Sequence, residues 1–297
     1  MRNSSVRLLL CFNKSKERNI PVAQNKASRL YICLLIFFSL IFLSSAGYLL
    51  SYFLRSRASA NAYQDLAEAV QAHRDTAPTS PRKPDGSISP TAADLPPVPQ
   101  DTHDENGILL EYAPLYAENP HMAGWIRIED TKINYPVMYA PDRKDYYLHR
   151  DFSGTYSDWG CIYVQENCDL TSPSDNVILY GHNMKDGSMF AGLNDYISDT
   201  FWQDHRYIHF DTLSEHHIYE IFAVFTTTAT QGRGFAYHEF IEARDEADFD
   251  AFIRQCRANA LYDTGISPIW GDKIICLSTC EYSKTNGRLV VAAVRIS

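Results

Sequence analysis

The chain contains no glycine-rich phosphate loop, no internal repeat and no surplus of basic residues in its folded part. The first absence argues against phosphate-cradle chemistry, and the second against a stacked-repeat architecture. The third argues against nucleic acid as a partner, because a nucleic-acid binder needs a basic folded surface. Seven basic residues and one acid give residues 1–29 a charge of +6, while the other 268 residues carry −15 of the net −9. Metal-ligand spacing is also poor. His205 and His209 are four apart, which suits zinc only on a helix, and Arg206–Phe210 reads as a strand. His216-His217 is a bare pair. No metal and no cofactor is expected.

The chain has one long apolar run. Leu30 to Leu54 is 25 residues without a charge, bounded by Arg29 and Arg55. As a helix it spans roughly 37 Å, against a hydrocarbon core of about 30 Å. The basic flank before it predicts a cytoplasmic N-terminus and an extracellular C-terminus. Ser44-Ser45-Ala46 resembles a signal-peptide cleavage site, but the apolar run continues past it to Leu54, which favours an uncleaved anchor. Residues 57–74 read as a short helix above the membrane. Residues 78–99 hold seven of the chain's 14 prolines and read as an extended spacer. The expected organisation is a basic tail (1–29), a transmembrane signal-anchor (30–54), a juxtamembrane helix and linker (55–103), and a folded domain (104–297).

Within that domain eight segments rich in Ile, Val, Tyr and Phe are separated by turn residues and predict strands. They are Trp125–Ile128, Ile133–Met138, Cys161–Val164, Asn176–Tyr180, Arg206–Phe210, His217–Thr228, Lys273–Thr279 and Arg288–Ile296. Helices are expected near Ile108–Ala117, Arg143–His149 and Ser188–Ile197, and over Glu246–Leu261, where Phe249, Phe252, Ile253, Cys256 and Ala260 recur at helical spacing. Many strands and few helices predict a barrel or sandwich with peripheral helices.

Three places carry candidate chemistry. His182 follows the strand Asn176–Tyr180 directly, beside Gly181. Cys280 ends the string Leu277-Ser278-Thr279-Cys280 after another apolar strand. Arg288 opens the last strand, eight residues later. If the last two strands pair, Cys280 and Arg288 become neighbours. Such residues permit acyl transfer: a thiolate attacks a carbonyl, a histidine protonates the departing amine, and a guanidinium steadies the oxyanion. Taken singly each has a plainer reading. A cysteine after an apolar strand is usually a small buried hydrophobe, a lone histidine a satisfied structural residue, and an arginine opening a strand a surface charge. Of the five cysteines after the apolar run, Cys161, Cys168, Cys256 and Cys276 are expected to pack, and the odd count leaves at least one thiol unpaired.

Together the segments resemble the class B sortases. The string from Tyr180 through Gly181, His182, Asn183 and Met184 to Phe190 is similar to that family's histidine motif. Leu277-Ser278-Thr279-Cys280 followed by Arg288 is similar to its cysteine and arginine motifs, and Asn119-Pro120, Gly124-Trp125-Ile126 and Ile133–Val137 resemble its first strands. The resemblance implies an eight-stranded barrel with peripheral helices, and a long insertion between the sixth and seventh strands, which residues 229–272 fit. It implies Cys280 as nucleophile, His182 as general acid and base, and Arg288 as stabiliser of oxyanion or substrate. Glu281, through its backbone N–H, and Ser278 and Thr279 are supporting candidates. Where some members carry an acid two residues after the cysteine, this chain has Tyr282. The implied activity is a cysteine transpeptidase that cleaves a C-terminal sorting signal of secreted surface proteins through a Cys thioacyl intermediate. The acyl group then passes to an amine of a cell-wall precursor or, alternatively, to a pilin lysine. Relatives prefer signals resembling Asn-Pro-Gln-Thr-Asn or Pro-x-Thr-Gly. A secreted cysteine protease would use water in place of the amine. An L,D-transpeptidase would carry its arginine at position 282. An adhesin would leave Cys280 and His182 far apart.

Overall fold

The computed structural model describes residues 26–75, 79–80, 98–99, 102–230, 232–281 and 286–297. Most of the expected basic tail and most of the Pro-rich linker lie outside the described residues, as does Tyr282. The chain divides after Leu54 into two compact units.

The first unit contains the apolar part of helix α1 (Lys26–Arg74), a helix long and apolar enough to cross a membrane. Leu35, Phe38, Phe42 and Leu49 are all more than half exposed, so this stretch has no protein core of its own. Residues 57–74, expected as a separate short helix, continue α1 without a break.

The second unit, Arg55–Ser297, is built on a closed eight-stranded barrel. In chain order its strands are β1 (Met122–Arg127), β2 (Asn134–Met138), β3 (Ile162–Val164), β4 (Asn176–Tyr180), β5 (Tyr207–Thr212), β6 (Ile218–Thr228), β7 (Ile274–Glu281) and β8 (Gly287–Arg295). Around the barrel they run β8-β6-β5-β1-β2-β3-β4-β7 and close back onto β8. The pairs β2–β3 and β4–β7 are parallel and the others antiparallel. Full closure leaves the barrel itself with no open sheet edge. The eight expected strands are all present, with ends shifted by a few residues.

Several strands are buried along most of their length instead of alternating between buried and exposed residues. In β7 Ile274 through Thr279 are all buried. One face meets the barrel interior, and the 229–272 insertion covers the other, so neither is free to be polar. The insertion carries α4 (Glu246–Asn259), which buries Phe249, Phe252, Ile253 and Cys256. Asp245 caps it by accepting from the Asp248 N–H, and acids in the first turn and Arg257 in the last suit the helix dipole. The helix stops before Leu261 because Ala260 turns extended to bridge Phe225, and the Leu261 N–H donates to Val224.

Three other expected helices are shorter or tighter than the periodicity suggests. Ile108–Ala117 becomes α2 (Ala113–Glu118). Pro114 starts it, and Leu109 is spent on a backbone bond to Leu213. Arg143–His149 becomes a single 3-10 turn over Tyr146–His149, and Ser188–Ile197 a 3-10 segment over Phe190–Ile197. Each begins after a non-glycine residue with positive φ, Asp145 at 52° and Met189 at 55°, which ends any preceding helical path. One further short helix, α3 (Asp199–Asp204), precedes β5.

The second half of α1 belongs to the folded unit. Tyr63, Ala67, Val70 and Arg74 are buried, and the Tyr63 hydroxyl donates to the Gly160 carbonyl at 2.6 Å. Arg74 ends the helix inside a cluster of buried charge with Glu111, Asp211 and His216.

Candidate active site

Strand β4 delivers His182. One residue past its end the chain is still fastened to β7. Gly181 N–H donates to the Ser278 carbonyl at 3.2 Å, and the Thr279 hydroxyl donates to the Gly181 carbonyl at 2.8 Å. A Cβ on residue 181 would lie 2.5 Å from Ile162 and 2.7 Å from the Phe190 ring, so only glycine fits this close approach. The chain then turns, with the His182 carbonyl accepting from Phe190 N–H.

The His182 ring is half-buried and its Nε2 lies 2.7 Å from the Leu148 carbonyl oxygen. A carbonyl can only accept, so Nε2 carries the hydrogen and Nδ1 is the nitrogen left to exchange a proton. Burial lowers the pKa of His182 below the ordinary histidine value. The neighbouring His149, whose ring centroid is 5.2 Å away, lowers it further, while the Leu148 carbonyl and Asp158 oppose the shift. The Leu148 carbonyl is itself held in place. Gly160, at φ 59°, packs so tightly on it that a Cβ there would sit 2.3 Å from that oxygen.

Strands β7 and β8 deliver the other two residues. Their antiparallel register pairs Cys280 with Arg288, as expected from the sequence. Cys280 is half-buried, and its carbonyl accepts from Asn183 Nδ2 at 2.8 Å, which ties the histidine loop to the cysteine strand. Arg288 Nη1 donates to the Gly287 carbonyl at 3.0 Å. His182, Cys280 and Arg288 line one cleft of about 350 Å³, so the adhesin reading, which required them far apart, does not hold.

The supporting candidates sit close by. Glu281 closes β7 opposite Gly287. Thr279 uses its hydroxyl on Gly181. The Ser278 hydroxyl is 2.6 Å from the Tyr237 hydroxyl, which the insertion brings down onto the strand. Neither the Leu148 carbonyl nor the Tyr237 contact was readable beforehand. A backbone acceptor has no residue-type signal, and Tyr237 reaches Ser278 across 41 residues of chain. Cys161, Cys168, Cys256 and Cys276 are buried free thiols. Burial pushes Cys161 up to about 12 and Cys168 to about 11, and raises Cys256 and Cys276 above the ordinary thiol range. The histidines weighed as ligands are scattered: His205 ends α3 and stacks on Phe201, His209 is buried in β5, and His216 sits in the charge cluster.

A cysteine, a histidine and an arginine around one cleft at the end of parallel and antiparallel strands can carry out acyl transfer. The sortase-domain family model matches residues 126–296 of the chain. This chain belongs to the class B sortases. The sortase B of Listeria monocytogenes is 35% identical over 175 residues, covering 58% of this chain and 69% of the relative. The sortase B of Staphylococcus aureus is 30% identical over 193 residues, covering 64% and 76%. The crystal structure of Bacillus anthracis sortase B in complex with AAEK1 superposes with a TM-score of 0.64 at 28% identity, over 82% of this chain and 99% of that one. Sortase B membership makes the chain a cysteine transpeptidase, with a peptide substrate and an amine acceptor as its general partners.

Proposed function

We propose that this sortase cleaves a C-terminal sorting signal through a thioacyl on Cys280 and transfers it to an amine of a cell-wall precursor. The reading rests on one observation: Cys280 pairs with Arg288 across β7 and β8, in a cleft that His182 also lines. The Cys280 thiolate attacks the scissile carbonyl carbon. Arg288, with the Glu281 backbone N–H, donates to the oxygen as it becomes an oxyanion. The C–N bond then breaks, and protonated His182 gives its proton to the departing amine. In the second half the acceptor amine attacks the thioester, His182 takes its proton, and the thiolate leaves.

The test supplies the full-length enzyme with peptides ending in Asn-Pro-Gln-Thr-Asn or Pro-x-Thr-Gly signals, with triglycine or a lysine-bearing peptide as acceptor. Products are read by mass spectrometry. The expected products are an acyl adduct on Cys280 and, with triglycine, a new amide. Acyl enzyme that gives only free acid in the presence of amine would make the protein a protease. A product with lysine alone would make it a pilin-polymerising enzyme.

The cellular placement follows from charge and length. The uncharged run 30–54 anchors the enzyme once in the cell membrane, the basic segment 1–29 stays in the cytoplasm, and the domain from 104 to 297 faces outward. Protease added to intact cells is expected to release a fragment containing residues beyond about 100. Digestion of that domain only after lysis would invert the topology.

A further inference from the structure

Helix α1 reaches the surroundings of His182 by two separate contacts. Ser56 and Tyr63 are seven residues apart on α1, two turns and about 10 Å, so they share one face of the helix. That face continues through Ala67, Val70 and Arg74, which are buried. A cavity of about 470 Å³ opens between this part of α1 and residues 151–159, lined by Tyr63, Leu66 and Trp159. Packing is therefore incomplete here, and hydrogen bonds decide where the helix sits against the barrel.

The first contact holds the loop that His182 opens. This loop is closed at its base by the Phe190 N–H bond to the His182 carbonyl and by a bridge between Asn183 and Met189. Asp186, inside the loop, gathers donors on both of its oxygens. Oδ1 accepts from the Ser188 N–H at 3.0 Å and the Ser188 hydroxyl at 2.6 Å. Oδ2 accepts from Trp159 Nε1 at 2.7 Å and from the Ser56 hydroxyl at 2.6 Å. The second contact holds the acceptor of the His182 ring. The buried Tyr63 hydroxyl donates to the Gly160 carbonyl. Burial raises the Tyr63 pKa well above the ordinary tyrosine value, so the proton for this bond stays in place. Gly160 packs on the Leu148 carbonyl that accepts from His182 Nε2, and Cys161 N–H donates to the adjoining Tyr147 carbonyl at 3.0 Å. Trp159 and Gly160 are consecutive, so the two contacts are joined through one short segment.

We propose that Ser56 and Tyr63 are positioning residues for His182, Ser56 through Asp186 and Tyr63 through Gly160 and the Leu148 carbonyl. This rests on the acyl-transfer reading above. The bond from Nε2 to Leu148 fixes which nitrogen of His182 exchanges the proton. A ring that loses this acceptor can turn, and a proton carrier displaced by about an ångström forfeits much of its advantage. Neither Ser56 nor Tyr63 lines the cleft, so both act on the reaction at a distance. The part of α1 that directly follows the apolar run is on this reading a working part of the enzyme, beyond its service as a tether.

The experiment measures kcat and KM for full-length enzyme in detergent, with the signal peptide that acylates Cys280 and with triglycine as acceptor. Active sites are counted by thiolate-selective labelling of Cys280. Tyr63→Phe keeps the ring that packs edge-on against Tyr135 and removes the O–H. Ser56→Ala removes a hydroxyl at a half-buried position where alanine is the better helix former, and it keeps the test open if Tyr63→Phe loosens the domain. Per active site, each is expected to lower kcat by about 5- to 20-fold with KM within about twofold of wild type. Ser56→Thr restores a hydroxyl and is expected to bring kcat back to within about twofold of wild type. The Leu148 carbonyl favours protonated His182, so Tyr63→Phe is expected to move the His182 limb of the pH–rate profile to lower pH. His149 and Asp158 also face His182, and Lys144, Asp145, Cys280 and Arg288 line its cleft; neither substitution alters any of them. In a His182→Ala background either substitution is expected to change the residual turnover by less than about twofold, because no ring is left to position. A kcat per active site within about twofold of wild type in both variants, an unmoved limb in Tyr63→Phe, or the full loss repeated in the His182→Ala background overturns the proposal and leaves the reaction standing. Wild-type turnover in His182→Ala itself, or failure of every signal peptide to acylate Cys280, overturns the reaction and the proposal together.

Discussion

Cys280→Ala, His182→Ala and Arg288→Ala are each expected to lower turnover by about 10³-fold or more, because nucleophile, proton carrier and oxyanion donor act as a unit. The fold is expected to survive all three. Cys280 and Arg288 are only half-buried, and the β7–β8 ladder that holds them is made by backbone. Arg288→Lys is the sharper probe. Lysine keeps the charge but replaces a planar fork with a point donor, so it is expected to recover little of the loss. The same logic orders the thiols. At neutral pH a thiolate-selective electrophile is expected to label Cys280 first, since Cys161, Cys168, Cys256 and Cys276 are buried and their thiols are pushed upward. Near-normal turnover in Cys280→Ala, or labelling that begins at another cysteine, would remove Cys280 from the mechanism.

The neighbourhood of Cys280 and Arg288 was legible because strand pairing is local: two apolar strands joined by a short loop pair in antiparallel fashion, and the register follows. The boundaries of β4 were legible because Val177–Tyr180 is an uninterrupted apolar run between Ser174-Asp175-Asn176 and Gly181. The two 3-10 segments were missed because helical periodicity does not report a positive φ at Asp145 or Met189. Nor does any local pattern show that Leu148 supplies the acceptor for His182, 34 residues away. The end of α1 was the least legible feature. Residues 57–74 read as a short helix above the membrane, whereas Arg74 is buried against Asp211, 137 residues further along.

That burial sets up the second large effect. Arg74 Nη2 lies 2.5 Å from Asp211 Oδ2, and its Nε is 3.4 Å from Glu111 Oε1. Arg74 also donates to the Tyr112 hydroxyl, which itself donates to Asp211 at 2.6 Å. His216 lies between the two acids, at 3.0 Å from Asp211 and 3.2 Å from Glu111. Arg74→Met is therefore expected to strand two buried carboxylates and to destabilise the domain by about 3–5 kcal/mol. In a unit of this size that lowers Tm by roughly 6–20 °C. Asp211→Asn in the Arg74→Met background is expected to cost less than the sum of the two single changes, because the second removes a charge the first left unpaired. The pH dependence has two limbs. Burial works against the Asp211 carboxylate, but Arg74, His216 and Tyr112 hold its pKa well below the usual range. Its contribution is therefore present above about pH 4 and is lost as pH falls further. Burial works against protonated His216, but Asp211 and Glu111 raise its pKa above the ordinary value. Its contribution is present below about pH 6.5 and is lost as pH rises through the raised pKa. Thermal unfolding followed across pH is thus expected to show the Arg74→Met deficit shrinking as pH falls below about 4, where Asp211 takes up a proton, and persisting above that. A Tm for Arg74→Met within about a degree of wild type would mean that the cluster does not hold the end of α1 to the barrel.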